Sequence, residues 1–255
     1  MKRIMFLGQK KLGEKCFEYL LNNHSKEFDI IAAVSNKSKN VWWRSNEIFD
    51  KTRNTNIHFI DNEKQNEDDI YECILHNKIN TIISVQHCWI LSEKILKTVD
   101  GNAFNLHNAK LPKYKGNNIF THIILNGEKK HTSTIHFMHK HVDMGDILLE
   151  RSISVHENDT SKSLFDKAQK NAENLFELFI KKLKTKNKFS GLQIKEEGFF
   201  YKRDSLIGLR EIKNLSDFNE VDKKSRAFFF NPFEPAFFII NKKKFYVLPE
   251  SSFIK

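Results

Sequence analysis

Short apolar runs alternate with helical stripes through most of the chain, and this alternation restricts the fold more than any other feature. Arg3 to Leu7, Asp29 to Val34, Ile57 to Ile60 and Thr81 to Val85 read as strands, the third being the weakest. Between them, Leu12, Cys16, Tyr19 and Leu20 recur at helical spacing, as do Ile70, Cys73 and Ile74 within Asp68 to His76. Strands and helices in this order build a Rossmann-like α/β fold, a mostly parallel sheet with helices on both faces. Gly8 and Gly13 do not make G-x-G-x-x-G, and no G-K-[ST] follows, which disfavours a dinucleotide or ATP site.

The longest stripe comes later. Leu164, Phe165, Ala168, Ala172, Leu175, Phe176, Phe179 and Leu183 place a helix over Thr160 to Leu183 that should pack on the sheet. The polar run from Lys181 marks a boundary, giving a main domain over 1–190 and a small α+β subdomain over 191–255. In the latter, Phe237 to Val247 reads as a hairpin around Asn241 to Lys244, with Phe199 to Arg203 sharing its aromatic-basic alternation. Phe228, Phe229, Phe230, Phe233, Phe237 and Phe238 are too many aromatics for a small appendage to hide, so they should meet the main domain or a second subunit.

A net charge of +10 admits nucleic acid, an anionic surface or phosphorylated small molecules as partners. Lysines are spread rather than clustered, and the run after Lys181 lacks interleaved aromatics, so nucleic acid is not expected. No apolar run reaches membrane-spanning length, and MKRIMFLG turns polar too soon for a signal peptide. A soluble, cytoplasmic chain is expected. Cys16, Cys73 and Cys88 are widely spaced, as reduced thiols would be.

Phe104 to Asp146 carries the densest chemistry. Asn105 and His107 lie two apart in an extended run, so both leave one face of a strand. Lys110 to Gly116 follows as a basic loop, then a helix over Ile119 to Leu125, a strand over Thr132 to Met138, and Asp143 before Gly145. Asp146 to Val155 continues as a strand. His136, His139 and His141 have no cysteine partner, and alternation on and after a strand explains their spacing better than zinc. No metal is expected.

Asn105-x-His107, Leu111-Pro112-x-Tyr114-x-Gly116 and Asp143-x-Gly145-x-Ile147 together resemble the signature of formyltetrahydrofolate-dependent formyltransferases. Arg226 to Tyr246 is similar to the tail of the nucleotide-sugar N-formyltransferase branch. The resemblance implies N10-formyltetrahydrofolate as co-substrate and a nucleotide-diphosphate amino sugar as acceptor, in bacterial O-antigen and lipopolysaccharide synthesis. A TDP-4-amino-4,6-dideoxyglucose is the first expectation; GDP-perosamine, a 3-amino sugar or methionyl-tRNA are the alternatives. The tRNA reading suffers because too little chain follows Gly191 for the β-barrel of that enzyme.

By the same resemblance, Asn105, His107 and Asp143 are catalytic. The loop Gln86, Trp89, Ile90 and Leu91 faces the pterin, together with Asp143; ordinary core is the other reading of those apolar residues. His87 departs from the aliphatic or tyrosine-type residue expected there and receives no catalytic role. Gln9, Lys10 and Lys11 are either close to a phosphate or exposed turn residues. Tyr114, Asn117 and Asn118, with Tyr201, Arg226 and Asn231, are expected near the sugar and nucleotide, and the C-terminal region is expected to form a homodimer. Trp42 and Trp43 either stack on a ring or plug a sheet edge.

Overall fold

The computed structural model describes residues 1–23, 26–37, 47–186, 188–195 and 197–253, so Trp42 and Trp43 lie outside the described residues. The chain begins β1 (Lys2–Gly8), α1 (Lys10–Asn22), β2 (Phe28–Ser35), α2 (Glu47–Thr52), β3 (His58–Asp61), α3 (Glu67–His76), β4 (Thr81–Val85), α4 (Glu93–Thr98) and β5 (Ala103–His107). It continues β6 (Tyr114–Gly116), α5 (Ile119–Leu125), β7 (Lys130–Phe137), β8 (Ile147–Ser154) and α6 (Ser161–Thr185). Last come β9 (Phe199–Tyr201), α7 (Phe218–Ala227), β10 (Ala236–Ile240) and β11 (Lys243–Val247).

A seven-stranded sheet runs in the order β3-β2-β1-β4-β5-β7-β8. The pairs β1–β2, β1–β4, β2–β3 and β4–β5 are parallel, and β5–β7 is antiparallel. The expected mostly parallel α/β sheet is what forms. All five β4 residues are buried, as a central strand covered on both faces requires. Phe104 and Leu106 join the cluster beneath α1 and α6, whereas Ala103 joins the cluster beneath α3 and α4. By strand alternation Asn105 and His107 share the Ala103 face. Strand order reverses between β1 and β4, where open α/β sheets bind ligands beyond the carboxyl ends of their strands.

Two compact units make up the chain. The first comprises Met1–Asn108, Ser133–Arg151 and Ala172–Glu196; the second comprises Ala109–Thr132, Ser152–Asn171 and Glu197–Lys255. Within the second, Tyr114, Ile119, Ile123, Leu164, Ile212 and Phe228 belong to a single buried cluster.

Local structure departs from the expected pattern at three places. The basic loop ends in a strand, β6, because Tyr114 to Gly116 pairs in parallel with Phe199 to Tyr201. That partner lies far along the sequence, and it takes Phe199 to Tyr201 away from the hairpin. The hairpin itself is β10–β11, pairing Ala236 with Val247, and its turn is tighter than expected. Asn241 and Lys242 both adopt positive φ (48° and 62°), which suits a two-residue turn matching strand twist. The helix α7, held by Asp217 accepting from the Glu220 N–H, supplies a helical part of the small α+β region.

Candidate functional site

Three polar side chains meet on the first unit's sheet near the end of β5. Asn105 and His107 project from one face of that strand, and Asp143 arrives on the loop after β7. Asp143 Oδ1 lies 3.6 Å from His107 Nδ1 and 3.6 Å from His136 Nε2. Both separations exceed hydrogen-bond length. The His107 side chain is 13% exposed and that of Asp143 7%. Asp143 holds φ +55°, a left-handed conformation uncommon for a non-glycine residue.

Sequence reasoning set His136 aside, yet the fold places it at the centre of the array. It is paired across the strands with Asn105. His136 Nδ1 lies 2.7 Å from the Phe137 carbonyl, so that nitrogen carries the proton and donates. Nε2 is then an acceptor, and Asn105 Nδ2 donates to it at 3.1 Å. A backbone carbonyl thus selects a tautomer, and the tautomer orients the Asn105 amide. Alternation on β7 put His136 on a face, but the pairing register that sets it opposite Asn105 is a long-range property. Replacing His136 with Phe is expected to lower kcat about 10–100-fold at little cost in acceptor KM, since small misplacement of a reacting group costs up to that much. Steady-state kinetics with both substrates varied would check this.

The other histidines of that group sit elsewhere. His139 and His141 are exposed, with the His141 N–H donating to His139 Nδ1 at 3.2 Å. Among the described residues no group of three His, Cys, Asp or Glu side chains is placed to hold a metal.

In the loop after β4, Leu91 is part of the core, Trp89 packs partly buried against the same cluster, and Ile90 is 64% exposed. Gln86 adopts φ +53°, and its Oε1 is buried without a hydrogen-bond partner. His87 Nδ1 accepts from the Trp89 N–H at 3.2 Å. Burial lowers the His87 imidazole to about 4. A histidine depressed in the folded state contributes stability that is complete above its ordinary pKa of about 6.5 and lost as pH falls toward 4, because there the unfolded chain binds the extra proton. The contribution is at most about 3 kcal/mol. His87→Phe is therefore expected to flatten the acid limb of the stability curve between those values, as urea melts at a series of pH values would show.

After β1, Gln9 is buried at the start of α1 and donates its N–H to the Val85 carbonyl. Lys10 is exposed with φ +58°. Lys11 pairs with Glu47 at 3.2 Å and Glu14 at 3.7 Å.

The remaining expected contacts lie in the second unit. Tyr114 is 2% exposed and stacks on Tyr201 with ring centroids 5.6 Å apart. Its hydroxyl donates to Glu128 and accepts from Asn126. Asn118 Nδ2 donates to the Arg203 carbonyl at 3.0 Å and to Ser205 Oγ at 3.3 Å. Arg226 pairs with Asp222 at 2.7 Å and donates to the Asp159 carbonyl. Asn117 and Asn231 are exposed.

A doubly wound sheet with an amide, imidazoles and a carboxylate gathered at a strand end has its polar groups where open α/β folds bind ligands. The chain belongs to the formyl transferase family, whose model matches residues 2–180. It is 31% identical over 96% of its length to a GDP-perosamine N-formyltransferase of Brucella melitensis biotype 1, covering 92% of that protein. Among solved structures, a 4-N formyltransferase from Francisella tularensis is similar with TM-score 0.77 and 21% identity, covering 97% of this chain and 96% of that one. An N-formyltransferase from Helicobacter canadensis in complex with folinic acid and dTDP-3-aminofucose is similar with TM-score 0.72 and 24% identity, covering 96% and 86%. These likenesses establish a shared fold.

Proposed function

We propose that the protein moves a formyl group from N10-formyltetrahydrofolate to the amine of a nucleotide-linked amino-dideoxyhexose. The observation that carries this reading is the Asn105, His107 and Asp143 array, braced by His136, in a chain of the formyl transferase family. The folate supplies the formyl carbon on its N10.

His107 serves as the base. With Nδ1 facing Asp143, its Nε2 takes the proton that leaves the attacking amine. The Asp143 carboxylate balances the imidazolium so formed, and the proton is then delivered to the departing folate nitrogen. Asn105 donates to the carbonyl oxygen on which charge develops. In sum, a carbon–nitrogen bond to folate breaks, one to the sugar forms, and a single proton passes between the nitrogens.

Gln9, Lys10 and Lys11, with Tyr114, Asn117, Asn118, Tyr201, Arg226 and Asn231, are the proposed contacts to sugar and nucleotide. TDP-4-amino-4,6-dideoxyglucose is the first acceptor to try. GDP-perosamine has the support of the 31% identical relative, and it likewise carries a 4-amine on a 6-deoxyhexose. Incubation with formyltetrahydrofolate and a panel of TDP-, UDP- and GDP-amino sugars, followed by product mass, tests the reading. A formylated product from one class supports it; no product from any member ends it.

Residues 191–255 form the proposed dimer and nucleotide-contact region. Ile239, Ile240, Phe245, Tyr246 and Leu248 are large apolar residues exposed on or beside the hairpin, and a second copy would cover them. Sedimentation is expected to give twice the chain mass, with Ile239→Asp and Phe245→Asp shifting it to the monomer. A cytoplasmic role in O-antigen and lipopolysaccharide sugar synthesis completes the proposal; among the described residues no helix is long and apolar enough to cross a membrane.

A further inference from the structure

Away from the candidate site, the amino ends of the parallel strands flank a cleft of about 450 Å³. Lys2 opens β1, Lys26 and Glu27 lead into β2, Asn80 leads into β4, Asn102 leads into β5, and Lys184 stands in the last turn of α6; all six line the cleft. From Lys2 to Gly8, β1 spans about 20 Å at ~3.3 Å per residue, so the cleft and the polar array lie at opposite edges of the sheet. Its size falls within the range of small-molecule sites, roughly 300–1,000 Å³.

Three ammonium groups and one carboxylate, that of Glu27, give the lining a net positive charge. Among the described residues, Lys2, Lys26 and Lys184 make no ion pair. Lys184 Nζ lies 5.4 Å from the Phe28 ring centroid. The carbonyl end of α6 accounts for its charge, but not for the other two. Lys2 is partly buried, and burial holds its ammonium below the ordinary lysine value. The Asn80 carboxamide is committed to the strand ends: its oxygen accepts from the Arg3 N–H at 2.9 Å, and its nitrogen donates to the Met1 carbonyl at 3.3 Å. The Asn102 carboxamide makes no hydrogen bond with the described residues, which leaves its donors to a ligand.

Ammonium groups gathered around one cleft repel one another, and a multiply charged anion among them would turn that repulsion into attraction. Planar carboxylates are held best by the arginine fork, which this lining lacks; lysines, as compact point charges, suit tetrahedral phosphates. We propose that the cleft is a second binding site, taking a small oligophosphate whose chain is held by Lys2, Lys26 and Lys184 with Asn102 donating to it. The proposal is independent of the transferase reading and would stand if that reading fell.

Calorimetry with inorganic tripolyphosphate at low ionic strength tests it, with adenosine triphosphate as a second probe. Saturable binding of one anion per chain is expected. Lys2→Gln should weaken it about 10-fold and Lys184→Gln about 5-fold, as loss of a hydrogen bond to a charged partner does. Lys26 is exposed, so Lys26→Gln should cost only about 2-fold. Lys2→Arg keeps the charge and should stay within about 3-fold of the unmodified protein. Lys97→Gln makes the same change of charge on an exposed lysine of α4 that pairs with Glu93, and should alter affinity by less than about 2-fold. Equal weakening by Lys2→Gln and Lys97→Gln would reduce the effect to general charge and overturn the site. Undiminished binding in both Lys2→Gln and Lys184→Gln would place the anion elsewhere, with the same consequence, and so would an unmodified protein that shows no saturable binding. Tighter binding of adenosine triphosphate assigns the site to a nucleotide, and tighter binding of tripolyphosphate assigns it to the free chain; both orders support it.

Discussion

His107→Asn is expected to fold normally and to lose about 10²–10⁴ in kcat, the range that positioned acid–base groups supply. The imidazole sits at a strand end with its side chain 13% exposed, so shortening it opens little core. What disappears is the imidazole proposed to take the proton of the attacking amine. Asn105→Ala should cost about 10²–10³, the usual worth of one oriented donor to a developing oxyanion. The double variant should be little worse than His107→Asn alone, because groups acting in one step are not additive. Single-turnover measurements with purified variants check both values. Near-normal turnover in either one removes the catalytic assignment.

Gly145→Ala is expected to be the most damaging single-methyl change in the first unit. A Cβ there would stand 1.8 Å from the Phe137 carbonyl oxygen and 2.7 Å from its carbon, so backbone must move. The same oxygen accepts the proton that selects the His136 tautomer, and His136 orients Asn105. One methyl therefore reaches the array through three successive contacts, and Asp143 lies two residues away. A loss on the order of 3 kcal/mol is expected, a large but not extreme value for backbone strain, lowering Tm by about 6–12 °C in a chain of this size. Gly127→Ala is the control: φ is +66°, but no atom lies within 4 Å of its added Cβ. It should cost about 1 kcal/mol. Indistinguishable melting curves for the two variants would refute the clash.

Much of the sheet was readable beforehand because its strands are short, apolar and bounded by helical stripes. Ile82, Ile83 and Val85 are buried whichever way they face, so a continuous apolar run identified β4 without knowledge of its neighbours. Asn105 and His107 were placed on one face by alternation alone. The strand pair β6–β9 was not foreseen, since Tyr114 and Phe199 come together only when the chain between them has folded. His136 was visible as a residue but not as a partner.

Periodicity and apolar patterning were enough to predict an α/β chain and its mostly parallel sheet, and the resemblance carried by three spaced motifs pointed to the amide, imidazole and carboxylate expected to work together. Those properties are local or nearly so: which residues favour a strand, and which side chains leave one face of it. Folding alone decided the pairing of Asn105 with His136, the tautomer imposed by the Phe137 carbonyl, and the burial of unsatisfied atoms at Gln86 and His87. Register and burial depend on segments distant in sequence, and no window along the chain contains both partners.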